Sequence, residues 1–414
     1  MAGADQAPSL AQLEEEHDNL RAVLEWAEQS GAWAQGLQLA GTLYRFWYAR
    51  GYFTEGRRWL ERLLGGSTAA NKTGEVHDAV RAKALHAAGA LVGQQGDRAR
   101  AIVLFEESLA LKQRLGDPAD IAVSLGNLGV LACSQGNYTR ATALFEESLA
   151  LGRQLNDTWS IATTLGHLGE VALEQGDPTR AQAFYAQSLT LFQALGHKGG
   201  IAYALSNLGL AALHEADFVR AAALFEQSLA LGRELGDTWS ITYALGGLGA
   251  VALYEGDYAR STAILEEGLT LGRELGDRWA IAATLDHLGD VALEQGDQVR
   301  ARTFYTESLT LREGLANNRG ITTGLEGLAA LWGCTEQRRL AAVLWAAAAA
   351  FRAAIGAPLS PADHARQESR VASVRAVLGA AAFAEASADG QKLSPRQAVH
   401  LALHGEDPHH PPLR

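Results

Sequence analysis

The feature that most constrains the fold of this chain is an internal sequence repeat. The string DTWSI occurs at 157–161 and again at 237–241, and VALEQGD occurs at 171–177 and at 291–297. Rows that begin at 121, 161, 201, 241 and 281 follow one another without an insertion, which sets a period of 40; a partial match occupies 81–120, and a degenerate row begins at 321. Such a period predicts a stack of similar small units rather than two or three separate globules.

Each row predicts two helices. In the row that begins at 121, the apolar or small residues at helical spacing are Ile121, Leu125, Leu128 and Ala132 in the first half, and Ala141, Phe145, Ser148 and Leu149 in the second. A Gly-Asn or Gly-Asp pair separates the halves, as at 136–137 and 176–177, and a similar pair ends some rows. Glycine favours the left-handed conformation that ends one helix, and Asp or Asn caps the next. We therefore expect helices of about 15–17 residues joined by turns of two to four.

Composition excludes several classes of protein. The formal net charge of −12 argues against sequence-independent nucleic-acid binding, which needs a basic surface. The two cysteines, Cys133 and Cys334, have no metal-like spacing and form no disulfide framework. The sequence shows no signal peptide at its start and no unbroken apolar stretch of the length that a membrane-spanning helix needs, so we expect a cytoplasmic protein without a membrane span.

The repeated pattern LGxLGxxAxxxGDYxxAxxxFExSL resembles the tetratricopeptide repeat. Its signature positions in one row are Leu128, Gly129, Ala132, Gly136, Tyr138, Ala141 and Phe145. The period of 40, longer than the usual 34, is typical of MalT-like sensor domains. The resemblance implies an all-α fold, an α-solenoid or superhelix of about seven to eight helical hairpins with capping helices at both ends.

Segments outside the rows extend the resemblance. Residues 13–31 and 46–64, and the tail segments 351–379 and 393–403, are similar to parts of bacterial LuxR-type and related STAND NTPase transcriptional regulators. The sequence contains no phosphate-binding G-x-x-x-x-G-K-[ST] loop and no convincing DNA-reading helix-turn-helix. The chain is therefore predicted to be the sensor region of such a regulator, without its NTPase or output domain.

The same reading predicts five segments. These are a disordered N-terminus at 1–8, a helical segment with a divergent hairpin at 9–75, the array at 76–335, a degenerate last repeat with capping helices at 336–405, and a disordered tail at 406–414.

One face of the first helix in each row is predicted to bind a ligand. The columns headed by Ile121, Leu125 and Leu128 are invariant from row to row and are expected to pack the array, whereas the columns on the opposite face vary. In tetratricopeptide proteins this variable side, called the groove face below, lines the concave groove that binds peptides. The predicted ligand-groove residues are Thr163, His167, Glu170, Glu174, Tyr203, Asn207, His214, Tyr243, Tyr254, Asp286, His287, Asp290, Glu294 and Glu326.

The groove face is expected to contain two zones. Tyr203, His214, Tyr243 and Tyr254 form an aromatic zone, and Asp286, Asp290, Glu294 and Glu326 form an acidic zone beside it. The like charges at i, i+4 and i+8 disfavour the helix, a cost that attraction of a basic or amine-bearing ligand would explain. The alternative is a solvated face with no ligand. The groove columns contain no Lys or Arg.

Other candidate sites are weaker. Trp159, Trp239 and Trp279 begin the first helices of their rows; they are expected to pack in the seam between repeats, or alternatively to form an exposed edge for contacts. His287 with Asp286 and Asp290 has no recognised metal-ligand spacing, and no catalytic set is apparent. No metal, cofactor or enzymatic activity is predicted.

The predicted function is non-enzymatic binding of a peptide or protein by a sensor or interaction domain. The part of the ligand that contacts the acidic zone is expected to be basic. A scaffold that self-associates through its ends or its Trp edge is one alternative, and a receptor for a small sugar-like inducer is another.

Overall fold

The computed structural model describes residues 6–67, 77–315 and 317–404, which form 21 helices and no strand. In chain order the helices are α1 (Gln6–Glu15), α2 (His17–Gln29), α3 (Trp33–Arg50), α4 (Phe53–Gly66), α5 (Asp78–Gln94), α6 (Arg98–Leu115), α7 (Pro118–Ser134), α8 (Tyr138–Leu155), α9 (Thr158–Glu174), α10 (Pro178–Ala194), α11 (Lys198–His214), α12 (Phe218–Leu235), α13 (Thr238–Tyr254), α14 (Tyr258–Leu275), α15 (Arg278–Glu294), α16 (Gln298–Gly314), α17 (Asn318–Gly333), α18 (Arg338–Ile355), α19 (Pro361–Leu378), α20 (Ala380–Gly390) and α21 (Pro395–His404).

The turns within the rows form as the sequence predicts. Gly136, Gly176, Gly256 and Gly296 all adopt positive φ angles between 76° and 79°. The Asp that follows, such as Asp177 or Asp257, accepts a hydrogen bond from the backbone N–H three residues later and caps the next helix. Ala216 takes the left-handed conformation at the equivalent position of its row, with φ of 60°. Because an L side chain is disfavoured there, this turn is strained relative to its neighbours.

The chain divides into two compact units, Met1–Leu131 with Ala150–Leu155, and Ala132–Leu149 with Asn156–Arg414. In the first unit, α3 and α4 pack on α5, and α2 packs on α3 and α4. Trp47, Leu60 and Leu91 are each at most 1% exposed. On the surface of this unit, the guanidinium of Arg21 donates two hydrogen bonds to Glu55, at 2.8 and 2.7 Å.

The second unit buries the two invariant leucine columns, whereas Ile161, Ile201 and Ile241 of the isoleucine column are partly buried. Leu165, Leu205, Leu245, Leu285 and Leu325 are all buried, as are the leucines three residues after each of them. A buried hydroxyl in the second helix of three rows donates to a backbone carbonyl of the first helix, and these pairs are Ser188 with Ala162, Ser228 with Ala202, and Ser308 with Ala282. The repeated sequence thus gives a repeated set of packing contacts.

A column of glycines allows the two helices of each row to approach closely. A Cβ on Gly169 would lie 2.5 Å from the ring of Tyr185, and a Cβ on Gly289 would lie 2.5 Å from the ring of Tyr305. Both tyrosines are buried. Since any side chain at these positions would overlap a fixed ring, the glycines are needed for packing.

The last helices cover the end of the array. Phe383 and Ala386 of α20, with Val399 and Leu401 of α21, belong to one buried cluster with residues of α17 and α18 such as Trp345. This cluster removes the apolar end of the stack from water.

At the N-terminus, α1 includes residues 6–8 of the segment 1–8 that the sequence predicts to be disordered. Pro8 is compatible with this helix because it lies in the first turn, where a missing N–H costs no hydrogen bond. Residues 1–5, and the tail predicted to be disordered at 406–414, lie outside the described residues.

Candidate functional site

At the centre of the aromatic zone, the indole of Trp239 contacts two of the predicted tyrosines. The rings of Trp239 and Tyr243 stack with centroids 5.4 Å apart and planes 11° apart, and Trp239 also lies 6.0 Å from the ring of Tyr203. Trp239 is 42% exposed. The first turn of α13 therefore presents aromatic surface to water, next to a tyrosine from α11.

A buried amide lies beside this stack. Asn207 is 5% exposed, and the Tyr243 hydroxyl lies 3.5 Å from its Oδ1, at the limit of a hydrogen bond. Its Nδ2 is buried and makes no hydrogen bond of ordinary geometry within the described residues, although the amide opposes the rise in pKa of the Tyr203 hydroxyl. Asn207 therefore lies beneath the aromatic surface, next to both tyrosine hydroxyls.

Polar residues of α9 face the same zone. The His167 ring stacks on Phe145 at 5.1 Å, and its Nδ1 lies 3.7 Å from the carboxylate of exposed Glu170. Burial raises the pKa of the Tyr203 and Tyr243 hydroxyls, and the negative charge of Glu170 raises both further. Thr163 is partly buried and donates its hydroxyl to the carbonyl of Trp159.

The acidic zone differs from the sequence prediction, because arginines of the same chain pair with its carboxylates. Asp286 is buried and forms an ion pair with Arg312 of α16. Glu326 accepts two hydrogen bonds of 2.6 Å from the guanidinium of Arg352 in α18. Burial raises the pKa of Glu326, which the hydrogen bonds from Arg352 oppose. The prediction that these two residues offer open carboxylates to a ligand is therefore wrong.

The rest of the acidic zone is covered by α19. Asp290 accepts hydrogen bonds from Arg366 at 2.8 Å and from the Tyr305 hydroxyl at 2.7 Å, and Glu294 accepts one from Arg370 at 2.5 Å. Burial alone would raise the pKa of Asp290, but Arg366 and Arg370 hold it below the usual value. The predicted basic partner of these two carboxylates is thus already present, as a helix of the same chain.

Tyr254 and His214 also face this helix. The Tyr254 hydroxyl donates to Asp363 at 2.5 Å, its ring stacks on Phe218 at 5.5 Å, and the guanidinium of Arg366 lies 5.5 Å from the ring centroid. Burial lowers the pKa of His214 to about 4; the charge of Arg319 acts in the same direction and that of Asp363 opposes it. Tyr254 and His214 therefore face α19 and are not part of an open aromatic zone, contrary to the prediction.

Two more predicted groove residues are withdrawn from solvent. Glu174, at the end of α9, forms an ion pair with Arg319 of α17 and accepts a hydrogen bond of 3.2 Å from Tyr138. Burial raises the pKa of Glu174, with Arg319 opposing. His287 is partly buried, and burial lowers its pKa although Asp290 and Asp286 oppose this.

The three tryptophans are about half exposed. Trp159 is 53% exposed, and Trp239 and Trp279 are each 42% exposed. Trp239 also contacts Tyr203 of the preceding row, as expected for a residue in the seam between repeats. Whether the tryptophans form a contact edge stays a prediction.

Sequence reasoning missed the arginines that close the acidic zone. The groove face was predicted from the first helices of the rows, whereas Arg312 and Arg352 belong to second helices, and Arg366 and Arg370 belong to the tail. A signal was present in the tail, since Arg366 and Arg370 match the four-residue spacing of Asp290 and Glu294.

The described residues contain two cysteines and no cluster suited to a metal ion. No group of three His, Cys, Asp or Glu residues there could hold a metal ion. No described helix is both long and apolar enough to cross a bilayer. Cys334 is exposed, and Cys133 is partly buried, with burial raising its pKa well above the ordinary value.

The family model for the tetratricopeptide repeat matches residues 80–154, 120–194, 160–234 and 240–314, which is more than half of the chain. The chain belongs to the tetratricopeptide repeat family. The matched segments start at or near the first helix of a row and span two rows each, which agrees with the observed hairpins.

A curated relative is similar over part of the chain. The Mycobacterium tuberculosis (strain ATCC 25618 / H37Rv) protein named "Putative HTH-type transcriptional regulator Rv0890c" is 30% identical over 128 residues, which is 30% of this chain and 14% of that protein. The chain therefore matches a small part of the regulator's length.

Two solved structures share the fold. The Rap conjugation gene regulator of plasmid pLS20, in complex with the Phr* peptide, has a TM-score of 0.60 and 13% identity, covering 81% of this chain and 95% of that one. Aspartyl phosphate phosphatase F from Bacillus subtilis has a TM-score of 0.57 and 12% identity, covering 87% and 98%. At these identities the likeness concerns the fold of the helical array.

Proposed function

We propose that this tetratricopeptide protein binds a peptide or protein segment on its groove face, as the non-enzymatic sensor or interaction part of a bacterial signalling or transcriptional regulator. The ligand would lie along α9, α11 and α13, over Asn207 and the stack of Tyr203, Trp239 and Tyr243. The partial match to a transcriptional regulator and the fold shared with a peptide-bound regulator support this role.

The observation that carries the proposal is the half-exposed indole of Trp239, stacked on Tyr243 and close to Tyr203. Tyr and Trp provide large contact area at low entropic cost, so this surface favours an apolar or aromatic part of a ligand. Exposed Glu170, close to both tyrosine hydroxyls, favours a ligand with a basic side chain at this point.

The shared fold with a phosphatase does not favour catalysis here. Of the predicted groove residues, most carboxylates are paired with arginines, and burial lowers the pKa of His214 and of His287, which makes both weaker bases. A group that acts as a base needs access to the substrate, and these positions are covered by other helices of the chain.

A selection experiment tests the function. A phage-displayed library of random dodecapeptides is selected on the full chain, and the affinities of the enriched peptides are measured by fluorescence anisotropy. We expect saturable binding that Tyr243→Ala and Trp239→Ala each weaken about tenfold, equivalent to about 1.4 kcal/mol.

The matched control is Val219→Ala, which shortens an exposed apolar side chain on a second helix and should leave the affinity unchanged. If no peptide is enriched, or if the enriched peptides bind Tyr243→Ala as tightly as the wild type, the proposal is wrong.

Self-association through the exposed tryptophans is the second candidate function. Half-exposed indoles at the same position of three rows favour it, since large exposed apolar side chains often mark contact surfaces. Sedimentation velocity over a range of concentrations distinguishes the two: a scaffold assembles without ligand and Trp159→Ala/Trp279→Ala prevents it, whereas a sensor stays monomeric.

A further inference from the structure

The chain returns along its own array after α18. We call residues 355–378 the return segment. Its first part contacts the turns of the first two complete rows: a Cβ on Gly136 would lie 2.9 Å from Ile355, and a Cβ on Gly176 would lie 2.5 Å from Pro358. Ala357 is 1% exposed and joins the buried cluster around Phe145. The segment therefore starts against rows that lie far earlier in the sequence.

Its second part, α19, contacts the later rows in order. Asp363 meets Tyr254 at the end of α13, Arg366 meets Asp290, and Arg370 meets Glu294 at the end of α15. A Cβ on Gly333, at the end of α17, would lie 3.0 Å from Val374. One segment thus crosses the carboxyl ends of the first helices, where the helix dipole favours its arginines.

The interface of α19 is more polar than those within the array. Of its 18 residues, Val374 alone is buried, although Val371 and Leu378 also pack on the last core cluster. The ion pairs are partly solvated, with side-chain exposures of 27% and 16% for Arg366 and Asp290, and of 23% and 33% for Arg370 and Glu294. Ion pairs of this kind contribute little each and are weakened by salt.

We propose that α19 is a detachable internal ligand of the acidic zone, and that an arginine-bearing helix of a partner protein displaces it to bind Tyr254, Asp290 and Glu294. The surface specifies this partner: two carboxylates one helical turn apart fit two arginines at i and i+4, and the tyrosine ring accepts the first guanidinium by a cation–π contact. With Val374 as its single buried residue, α19 is held by fewer buried residues than the neighbouring α20 or α21, which favours its release.

This inference rests on the proposed function, because it assigns a regulated occupant to the same groove face. It differs in the residues involved: the aromatic stack lies on α11 and α13, and the contacts of α19 lie at the far ends of α13 and α15. The two can therefore be tested separately.

Hydrogen–deuterium exchange on the full chain tests whether the contacts hold α19. Arg366→Ala/Arg370→Ala should increase the exchange rate of the amides of 361–378 about tenfold, while those of α13 and α15 stay protected. The control Ser369→Glu/Ala372→Glu changes the net charge by the same −2 on the outer face, where both residues are exposed, and should exchange as the wild type does. Equal exchange in all three chains overturns the inference.

A peptide supplied in solution tests displacement. The probe is a fluorescein-labelled peptide with the sequence of residues 361–378. We expect it to bind Arg366→Ala/Arg370→Ala at least about tenfold more tightly than the wild type, because the attached helix competes at high effective concentration. The same peptide with both arginines replaced by alanine should not bind. Equal affinity for the two chains, or equal binding of the two peptides, overturns the inference.

A double variant that exchanges the two charges of one ion pair controls for a folding defect. Asp290→Arg/Arg366→Asp should restore slow exchange of α19 that each single substitution removes. If the exchange and labelled-peptide results are as expected but no library peptide depends on Tyr243, the proposed function is wrong and the inference about α19 is supported. If library peptides depend on Tyr243 but the exchange and labelled-peptide results are not as expected, the inference about α19 is wrong and the proposed function is supported.

Discussion

At the scale of single residues, burial decides which polar side chains of the groove face can act. His214 is partly buried, and Arg319 and Asp363 face it from two other helices. Its folded-state pKa of about 4 lies below the ordinary value of 6.5. The unfolded chain therefore binds a proton on this residue at a higher pH than the folded chain does.

A pH titration of stability follows from this difference. Since the folded pKa is lowered, the contribution of His214 is fully present above pH 6.5 and is lost as the pH falls toward 4. Between pH 7 and pH 5 we expect this residue to reduce the free energy of unfolding by about 2 kcal/mol. Urea denaturation at both pH values, with His214→Gln as the comparison, measures it. A variant with the same pH dependence as the wild type contradicts the assignment.

At the scale of helices, glycine has opposite effects at two positions of α13. A Cβ on Gly249 would lie 2.4 Å from Leu265, which is 0% exposed, whereas a Cβ on Gly246 would meet nothing within 4 Å. The first glycine allows α13 and α14 to approach, and the second only weakens the helix.

Alanine substitutions separate these roles. Gly246→Ala should raise the free energy of unfolding by about 0.5–1 kcal/mol through helix propensity. Gly249→Ala should lower it by about 1–3 kcal/mol despite the same gain, because Leu265 cannot move without disturbing the core. Chemical denaturation of both variants gives the comparison, and the same sign of change in both would refute the packing role of Gly249.

At the scale of the whole molecule, the array and the return segment depend on the repeat in different ways. The packing contacts between neighbouring rows follow one pattern along the array, so the core of a row is formed mainly with the rows on either side of it. The return segment instead contacts fixed positions from Gly136 to Gly333, and its length matches that set of rows.

Removal of one complete row tests this difference. A chain lacking residues 201–240 should keep its helix content per residue, as measured by far-UV circular dichroism, because the invariant columns remain in register. The amides of 361–378 should lose protection, because α19 can no longer reach both ends of its interface. A chain lacking 201–220 removes one helix of a pair and should lose cooperative unfolding. Full protection of α19 after removal of the row would contradict the role of its length.

The sequence predicted what is local or repeated. The buried leucine columns, the left-handed glycines and the Asp caps all follow from residues that recur in every row, and the structure contains them. The positions of Tyr203 and Tyr243 on the groove face follow from the same helical period. The alanine at 216 breaks the pattern in sequence but not in conformation, because the flanking helices fix the turn.

The contacts that close the acidic zone could not be predicted in this way. Arg366 and Asp290 are 76 residues apart, and Arg319 and Glu174 are 145 apart. No repeat relates these partners, so their meeting depends on how the second unit brings its later helices back to its earlier ones. A like-charge stripe on one helix indicated that a basic partner exists, but not that the chain supplies it.

The two cysteines differ in exposure, so that one of them can be labelled selectively with a dye. Cys334 is exposed and follows Gly333, the residue against which Val374 packs, while the raised pKa of Cys133 keeps that thiol in its unreactive protonated form. A maleimide dye should therefore couple to Cys334 without any engineered cysteine. Its emission would then report departure of α19 in real time, in the unmodified native sequence.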